Sequence, residues 1–475
     1  MSNPLYSAIK RSVTGKLLTY IVQFLALTIY ARIFTPEQFG IIASIQVFVV
    51  FFQLLADVGI GPAIINEDTF TTQQRDGIFS TTLILGLLLG CTFYAFSFIL
   101  NVFYNGYQYQ DIATLVSISI LFNSLNIVPI TALNKDAEFI KIAKIDCLVE
   151  LISLSIIFVL YQLNFGVMAL AVRPLSQSIF RFLFIWIASS KTTIGRPKFG
   201  SQLFHIKKIA SFASYQFAFN LINYFSRNLD KILVGKYIGS PALGLYEKSY
   251  QLMQYPLMIT TFAMTPAIQP TLTKIRNNVA KIVEEHNKLA KRLLLISLLI
   301  STFMYINANQ IVLILFGLQW EKVTPLIEIF AFMIPIQAVM STSGSFFQTM
   351  NSPKLLFISG FLASLTNITA IFIGIYYNDL SFIAYSLLIS FSINFIQCYT
   401  ILFHYCFKAR IKDFLHLLMQ AIFTSIPPIL LYVISWIIIK PYLHTNIYIE
   451  FITSLTVSIL ALVLFSKQLK KALLM

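Results

Sequence analysis

The chain has 475 residues, of which 57% are hydrophobic and only 11% are charged. Because soluble domains carry about 25% charged residues, this composition excludes a soluble protein. Lysine and arginine outnumber aspartate and glutamate by 34 to 19. The positive residues are spread over many short loops and form no binding run, so the net charge of +15 indicates membrane topology and excludes a nucleic-acid partner.

Apolar stretches of at least ~18 residues, the length that crosses a hydrocarbon core of ~30 Å, follow one another along the whole chain. They predict an all-α polytopic membrane protein of about 14 transmembrane helices. In chain order the predicted spans are 16–34, 41–65, 77–103, 111–131, 146–163, 166–190, 209–236, 243–270, 289–309, 325–350, 354–377, 380–403, 416–439 and 447–466.

The loops between these spans alternate between Lys/Arg-rich and nearly uncharged. With the N-terminus inside, roughly 25 of the positive residues lie on cytoplasmic flanks and about 4 on outer flanks. An even number of spans then places the C-terminus inside as well. The loop Asn66–Asp76 is assigned inside although it is mostly acidic, because acidic residues contribute little to topology.

Two segments resemble each other at equivalent places. Ala31–Ile41 closes the first span and opens the second, and Gly235–Leu245 does the same for the seventh and eighth. Each has a small residue, a cation, two apolar residues, a Thr/Ser-Pro turn and then glycine. Val128-Pro129-Ile130 and Ile334-Pro335-Ile336 form a second echo. The alternative is that such a turn suits any tight connection.

The echoes favour two parallel six-helix lobes plus two C-terminal helices, a transporter architecture with the substrate held between the repeats. The predicted domains are an N-terminal lobe at 1–190, a cytoplasmic linker at 191–208, a C-terminal lobe at 209–404, and the last two spans with a cytoplasmic tail at 405–475.

Ionisable residues near the bilayer centre cost about 2.5–3.5 kcal/mol each on insertion scales, so each needs a partner, water or a function. A cationic cavity that binds a phosphate or pyrophosphate is one interpretation; internal pairing that joins helices is the other. Asp57, Asp230, Glu247 and Glu328 are candidates for ion coupling or structural pairing. The cations inside spans are Arg173, Arg181, Arg227, Lys231 and Lys248, and we expect Arg173, Arg227, Lys231 and Lys248 to contact substrate.

Catalytic and metal-binding patterns are missing from the sequence. The four cysteines and five histidines have no metal-ligand spacing, and no phosphate loop or nucleophile–base arrangement occurs. We expect no cofactor, no metal and no enzymatic activity.

Three motifs carry a family resemblance: Ala56–Ile65 at the end of the second span, Leu133–Phe139 after the fourth, and Arg227–Gly239 with Ala242–Tyr246. In these the chain resembles the polysaccharide exporters of the multidrug/oligosaccharidyl-lipid/polysaccharide superfamily, in the branch of the colanic-acid and teichuronic-acid exporters. The resemblance implies an inner-membrane flippase of undecaprenyl-pyrophosphate-linked oligosaccharides that works by alternating access. It also implies membrane lipids and other polysaccharide-assembly proteins as partners.

Two other functions would require different sequence features. A cation-coupled multidrug exporter of the same superfamily would need acidic groups in the N-terminal half, where Asp57 is the clear candidate. A membrane polymerase or ligase of lipid-linked sugars would need a large outer loop with Arg, Glu or His, and the outer loops here are short and nearly uncharged.

Overall fold

The computed structural model of the protein describes residues 4–57, 60–66, 71–104, 107–203, 224, 228–262, 268, 272–443 and 446–474. Throughout these ranges the regular structure is helical, as the composition predicts. The chain divides into two compact units, Met1–Gly244 and Leu245–Met475.

The first unit contains seven labelled helices, of which five are long enough to cross a bilayer by themselves in both length and apolarity. Helical residues 228–237 precede the next helix, α8, which begins in this unit and continues into the second. The helices are α1 (Pro4–Ile33), α2 (Pro36–Asp57), α3 (Ile60–Asn66), α4 (Thr72–Tyr104), α5 (Gln110–Lys135), α6 (Phe139–Gln162), α7 (Val167–Ala188) and α8 (Ser240–Leu257).

The second unit continues with α9 (Val279–Ile306), α10 (Ala308–Leu315), α11 (Thr324–Ala331), α12 (Met333–Met340), α13 (Ser343–Thr349), α14 (Pro353–Tyr376), α15 (Leu380–Thr400), α16 (Ile411–Ile439), α17 (Ile447–Leu464) and α18 (Ser466–Leu474). A π-helical segment, Ile401–Phe407, extends α15.

Ten described helices have the length and apolarity of a membrane span, and a pair of segments bent by 52° would make an eleventh. The chain is therefore a multi-pass membrane protein. Most of the predicted span 209–236 and part of 243–270 lie outside the described residues, so the total of 14 stays a prediction.

The predicted span 325–350 is broken into three short helices, α11 to α13. Pro335 in α12 lacks an N–H group and so cannot bond the carbonyl of Ala331. The Ser301 hydroxyl of α9 donates to that carbonyl instead, with an O–O distance of 2.7 Å. A neighbouring helix thus satisfies the backbone group that proline frees, as a non-aqueous environment requires.

The two echoed turns meet inside the first unit. Helices α2 and α8 begin at Pro36 and Ser240, and each has glycine four residues later, Gly40 and Gly244. A Cβ added to Gly40 would overlap the carbonyl oxygen of Ser240, and one added to Gly244 would overlap that of Pro36. The contact is reciprocal and requires glycine on both helices.

A neutral polar seam joins α14 and α15, an antiparallel pair that reverses at Asn378 with φ of 51°. The Thr366 hydroxyl donates to Asn394 Oδ1 at 2.7 Å, and the Ser390 hydroxyl donates to Asn367 Oδ1 at 2.8 Å. Gln397 Nε2 donates to the Ser359 carbonyl at 2.9 Å. Such bonds hold transmembrane helices together without charge.

Candidate functional site

Two ion pairs of the first unit join α6 to α7, which form a hairpin. The chain reverses between these helices through Asn164 and Gly166, which have φ of 61° and 56°. Because the helices run antiparallel, residues at nearly equal distances along the chain from this turn lie opposite each other.

Glu150 of α6 is the centre of the first cluster on this hairpin. Its Oε1 accepts a hydrogen bond from Nη2 of Arg173 at 3.0 Å, and its Oε2 accepts one from Nε2 of Gln177 at 2.6 Å. The Glu150 side chain is 4% exposed and that of Arg173 is 27% exposed. The carboxylate is therefore buried with both oxygens bonded, while the guanidinium reaches the edge of the packed helices.

The Arg173 guanidinium has N–H donors that bond no acceptor in the described structure. Its guanidinium lies over the ring of Tyr30, 4.7 Å from the centroid, so one face of the cation is stabilised by an aromatic ring. Its Nε is buried and donates to no acceptor within the described residues. A guanidinium has five N–H donors, and in the described structure the carboxylate of Glu150 takes one of them.

A second ion pair lies further along the same hairpin, away from the turn. Arg181 Nε and Nη2 donate to Asp146 Oδ1 and Oδ2 at 2.8 and 3.3 Å. The side chains of Arg181 and Asp146 are 34% and 21% exposed, so this bidentate pair is less buried than the first. The hydroxyls of Ser153 and Ser176 are hydrogen-bonded at 2.7 Å between the same helices.

Asp146 and Glu150 are the functional candidates that sequence reasoning missed. No acid lies within one turn of Arg173 on its own helix, and its partner Glu150 belongs to the preceding helix. The sequence does contain a signal for these pairs. Asp146 and Arg181 lie at nearly equal sequence distances from the turn at Asn164, and so do Glu150 and Gln177, as expected of residues that face each other in an antiparallel hairpin.

The other predicted cavity cations lie apart from this hairpin in the sequence. Arg227 is outside the described residues. In the first unit, Lys231 donates its backbone N–H to Asp230 Oδ1 at 2.8 Å. In the second unit, Lys248 is buried and donates to Gln251 Oε1 at 3.3 Å, and Glu247 beside it is half-buried. Their contact with substrate stays a prediction.

Asp57 and Glu328 also take different positions. Asp57 is the last residue of α2 and accepts a backbone hydrogen bond from Gly61 at the start of α3. Glu328 is half-buried in α11, the first piece of the broken span. Neither belongs to the α6–α7 hairpin.

The hairpin can bind an anion but is poorly suited to a free cation. Its two acids, Asp146 and Glu150, are each bonded by an arginine. In the pair of Glu150 and Arg173, the guanidinium is the more exposed group. Among the described residues no cluster of three or more His, Cys, Asp or Glu side chains could hold a metal ion.

The family described as "Polysaccharide biosynthesis protein" matches residues 29–325. Teichuronic acid biosynthesis protein TuaB of Bacillus subtilis is 22% identical over 68% of this chain and 67% of its own. Lipopolysaccharide biosynthesis protein WzxC of Escherichia coli is 22% identical over 73% of this chain and 70% of its own.

Solved structures share the fold. The lipid II flippase MurJ, in an inward closed conformation, aligns with a TM-score of 0.76 at 17% identity and covers 98% of this chain and 100% of its own. An inward-facing multidrug resistance transporter of the MATE family aligns with a TM-score of 0.61 at 15% identity over 85% of this chain and 94% of its own.

Proposed function

The chain belongs to the polysaccharide biosynthesis protein family, a family of membrane transporters, and from this premise we propose that it is a flippase of lipid-linked oligosaccharides. Its substrate would be an oligosaccharide unit on undecaprenyl pyrophosphate, a precursor of surface polysaccharide. The unit would move from the cytoplasmic to the outer leaflet of a bacterial inner membrane, in which both chain termini are cytoplasmic.

The observation that carries the proposal is the state of Arg173. A cation on a membrane-spanning helix is costly, yet this one is held by Glu150 and Tyr30 with donors to spare. A pyrophosphate offers several acceptor oxygens, and arginine bonds phosphate through paired N–H groups. Arg173 would bind the pyrophosphate while Glu150 fixes its position, and Arg227, Lys231 and Lys248 are proposed as further contacts.

We propose that transport proceeds by alternating access and that the membrane potential favours its outward direction, because the cargo is an anion. Outward movement of an anion is favoured by about 2.3 kcal/mol per charge per 100 mV of inside-negative potential. The membrane potential would therefore contribute to the outward direction of transport of the pyrophosphate-linked cargo. Asp57 and Glu328 are proposed for cation coupling, since no arginine pair neutralises either in the described structure.

An apolar groove in the second unit supports a lipid as part of the cargo. Two adjoining cavities of about 330 and 240 Å³ share Leu299, Ile300 and Leu462. Lys470 lines the end of the groove formed with α18. A polyprenyl chain would fit an apolar channel with a cation for phosphate at its end.

The multidrug exporter is the second candidate, since transporters of that class share the fold. It needs acids that can bind an organic cation. Asp146 and Glu150, the acids of the α6–α7 hairpin, are already bonded to Arg181 and Arg173. Asp57 is left as the candidate acid for an organic cation, and the arginines of the hairpin favour the anionic cargo.

The test is reconstitution of purified protein in vesicles with a defined undecaprenyl-pyrophosphate oligosaccharide in one leaflet. Appearance of sugar in the other leaflet is measured with a membrane-impermeant glycosidase or lectin, with and without a membrane potential. We expect translocation by the wild type and at least about a tenfold loss in Arg173→Gln. Movement of a cationic dye without movement of the lipid would overturn the proposal.

A charge swap provides the matched control. Glu150→Arg with Arg173→Glu keeps one acid and one base at the same two positions but moves the cation to the other helix. Compared with either single substitution, we expect the swap variant to recover more of the folding stability than of the transport activity. Full transport by a folded swap variant would remove Arg173 from the binding site.

A further inference from the structure

The chain reverses sharply between α15 and α16. The π-helical segment Ile401–Phe407 ends at Lys408, whose φ is 52°. The N–H of Ala409 then donates back to the carbonyl of Phe403 at 3.0 Å, and α16 begins at Ile411. This reversal brings the last π-helical turn close to the first turn of a 29-residue helix.

A cavity of about 520 Å³ lies at this reversal. Its polar lining comes from Thr400 and from three basic residues, His404, Arg410 and Lys412. The buried ring of Phe403 is one of its apolar walls. The acid nearest in sequence, Asp413, does not line it. The cavity is therefore cationic and has an apolar floor, and the partial positive charge of the α16 N-terminus adds to the same sign.

Apolar side chains continue from the cavity along the outside of the helices. Tyr405 next to His404, and Leu415 and Met419 on the next turns of α16, are exposed. In a membrane-spanning helix such residues face lipid chains. A ligand here would find cations at the membrane surface and an apolar surface below them.

We propose that this cavity binds the phosphate of an anionic phospholipid from the surrounding leaflet, with the acyl chains lying against the exposed apolar face of α16. Arginine and lysine are the donors that phosphate prefers, and cations at a membrane surface are attracted to anionic lipids. Soluble phosphate would use the cations but not the apolar face. The predicted topology places the site in the inner leaflet, where it would fasten α16 and the helices after it to α15.

The test is native mass spectrometry of the purified full chain with phosphatidylglycerol titrated against phosphatidylcholine. We expect the wild type to retain phosphatidylglycerol selectively, and Arg410→Ala with Lys412→Ala to bind it about tenfold or more weakly, since each surface cation contributes to anionic-lipid binding. Arg410→Lys should keep most of the selectivity.

The matched control is Lys467→Ala with Lys471→Ala. Both lysines are exposed on α18 and do not line the cavity. Their substitution removes the same amount of charge as the cavity double variant. Equal weakening by both double variants would reduce the effect to surface charge and overturn the proposal. Displacement of the lipid by inorganic phosphate, or retention of undecaprenyl phosphate in place of phosphatidylglycerol, would also overturn it by assigning the cavity to a soluble anion or to the cargo.

Discussion

Two helical hairpins of this protein solve the same packing problem with different chemistry. The pairs α6–α7 and α14–α15 are antiparallel, and both reverse through a left-handed asparagine, Asn164 or Asn378. They occupy equivalent places in the two predicted repeats. The first is joined by the ion pairs of Glu150 and Asp146, and the second by amides and hydroxyls alone in the described structure.

The difference shows that charge is not needed to join two such spans. Neutral hydrogen bonds between transmembrane helices average about 0.6 kcal/mol and suffice in the second hairpin. The first uses side chains that cost about 2.5–3.5 kcal/mol each to insert. The greater insertion cost at the equivalent place indicates that the first hairpin has a task besides packing, and we propose anion binding as that task.

The largest effect is expected from Glu150→Ala. It leaves the partly buried Arg173 guanidinium without its carboxylate, which should cost up to about 3 kcal/mol of folding free energy. Unfolding in mixed micelles, followed by circular dichroism, measures this. Glu150→Gln, which keeps an acceptor, should lose less; equal stability of Glu150→Ala and the wild type would contradict the buried-pair assignment.

Arg181→Ala should cost less, about 1 kcal/mol, because the Arg181 side chain is 34% exposed and solvent screens its pair with Asp146. The same unfolding assay applies. The double variant Asp146→Ala with Arg181→Ala should be no less stable than Arg181→Ala alone. A loss as large as that of Glu150→Ala would erase the distinction between the two ion pairs.

Asn394→Leu tests the second hairpin. It removes the acceptor of Thr366 and a donor to Asn367, so we expect a loss of about 1 kcal/mol and translocation within twofold of the wild type. Asn367→Leu serves as its companion on the facing helix. Loss of transport from correctly folded protein would mean that the neutral seam also takes part in function.

The smallest effect is expected from Ser153→Ala, about 0.5 kcal/mol. The Ser176 hydroxyl keeps its bond to the carbonyl of Arg173 after the change, so this buried donor stays satisfied. Thermal unfolding should place this variant next to the wild type, and a shift comparable to that of Arg181→Ala would show that the hydroxyl pair positions the arginines.

The helices were predictable because crossing a bilayer requires long apolar segments, and the predicted spans 77–103, 111–131, 354–377 and 447–466 each coincide with one described helix. The break in span 325–350 was not predicted: Pro335 indicates that a backbone carbonyl is freed, but only the fold shows that the Ser301 hydroxyl donates a hydrogen bond to it. Pairing across helices was missed for the same reason, since Glu150 and Arg173 are 23 residues apart.

The resemblance between Ala31–Ile41 and Gly235–Leu245 acquires a physical meaning from the contact of Gly40 with Ser240 and of Gly244 with Pro36. Two helix beginnings touch there through backbone atoms with no side chain between them. Separating such surfaces uncovers peptide groups, which water solvates readily, and little apolar area, so the hydrophobic effect opposes it weakly. Close approach of the two turns therefore depends on both glycines, and a side chain at either one would hold the two helix beginnings apart.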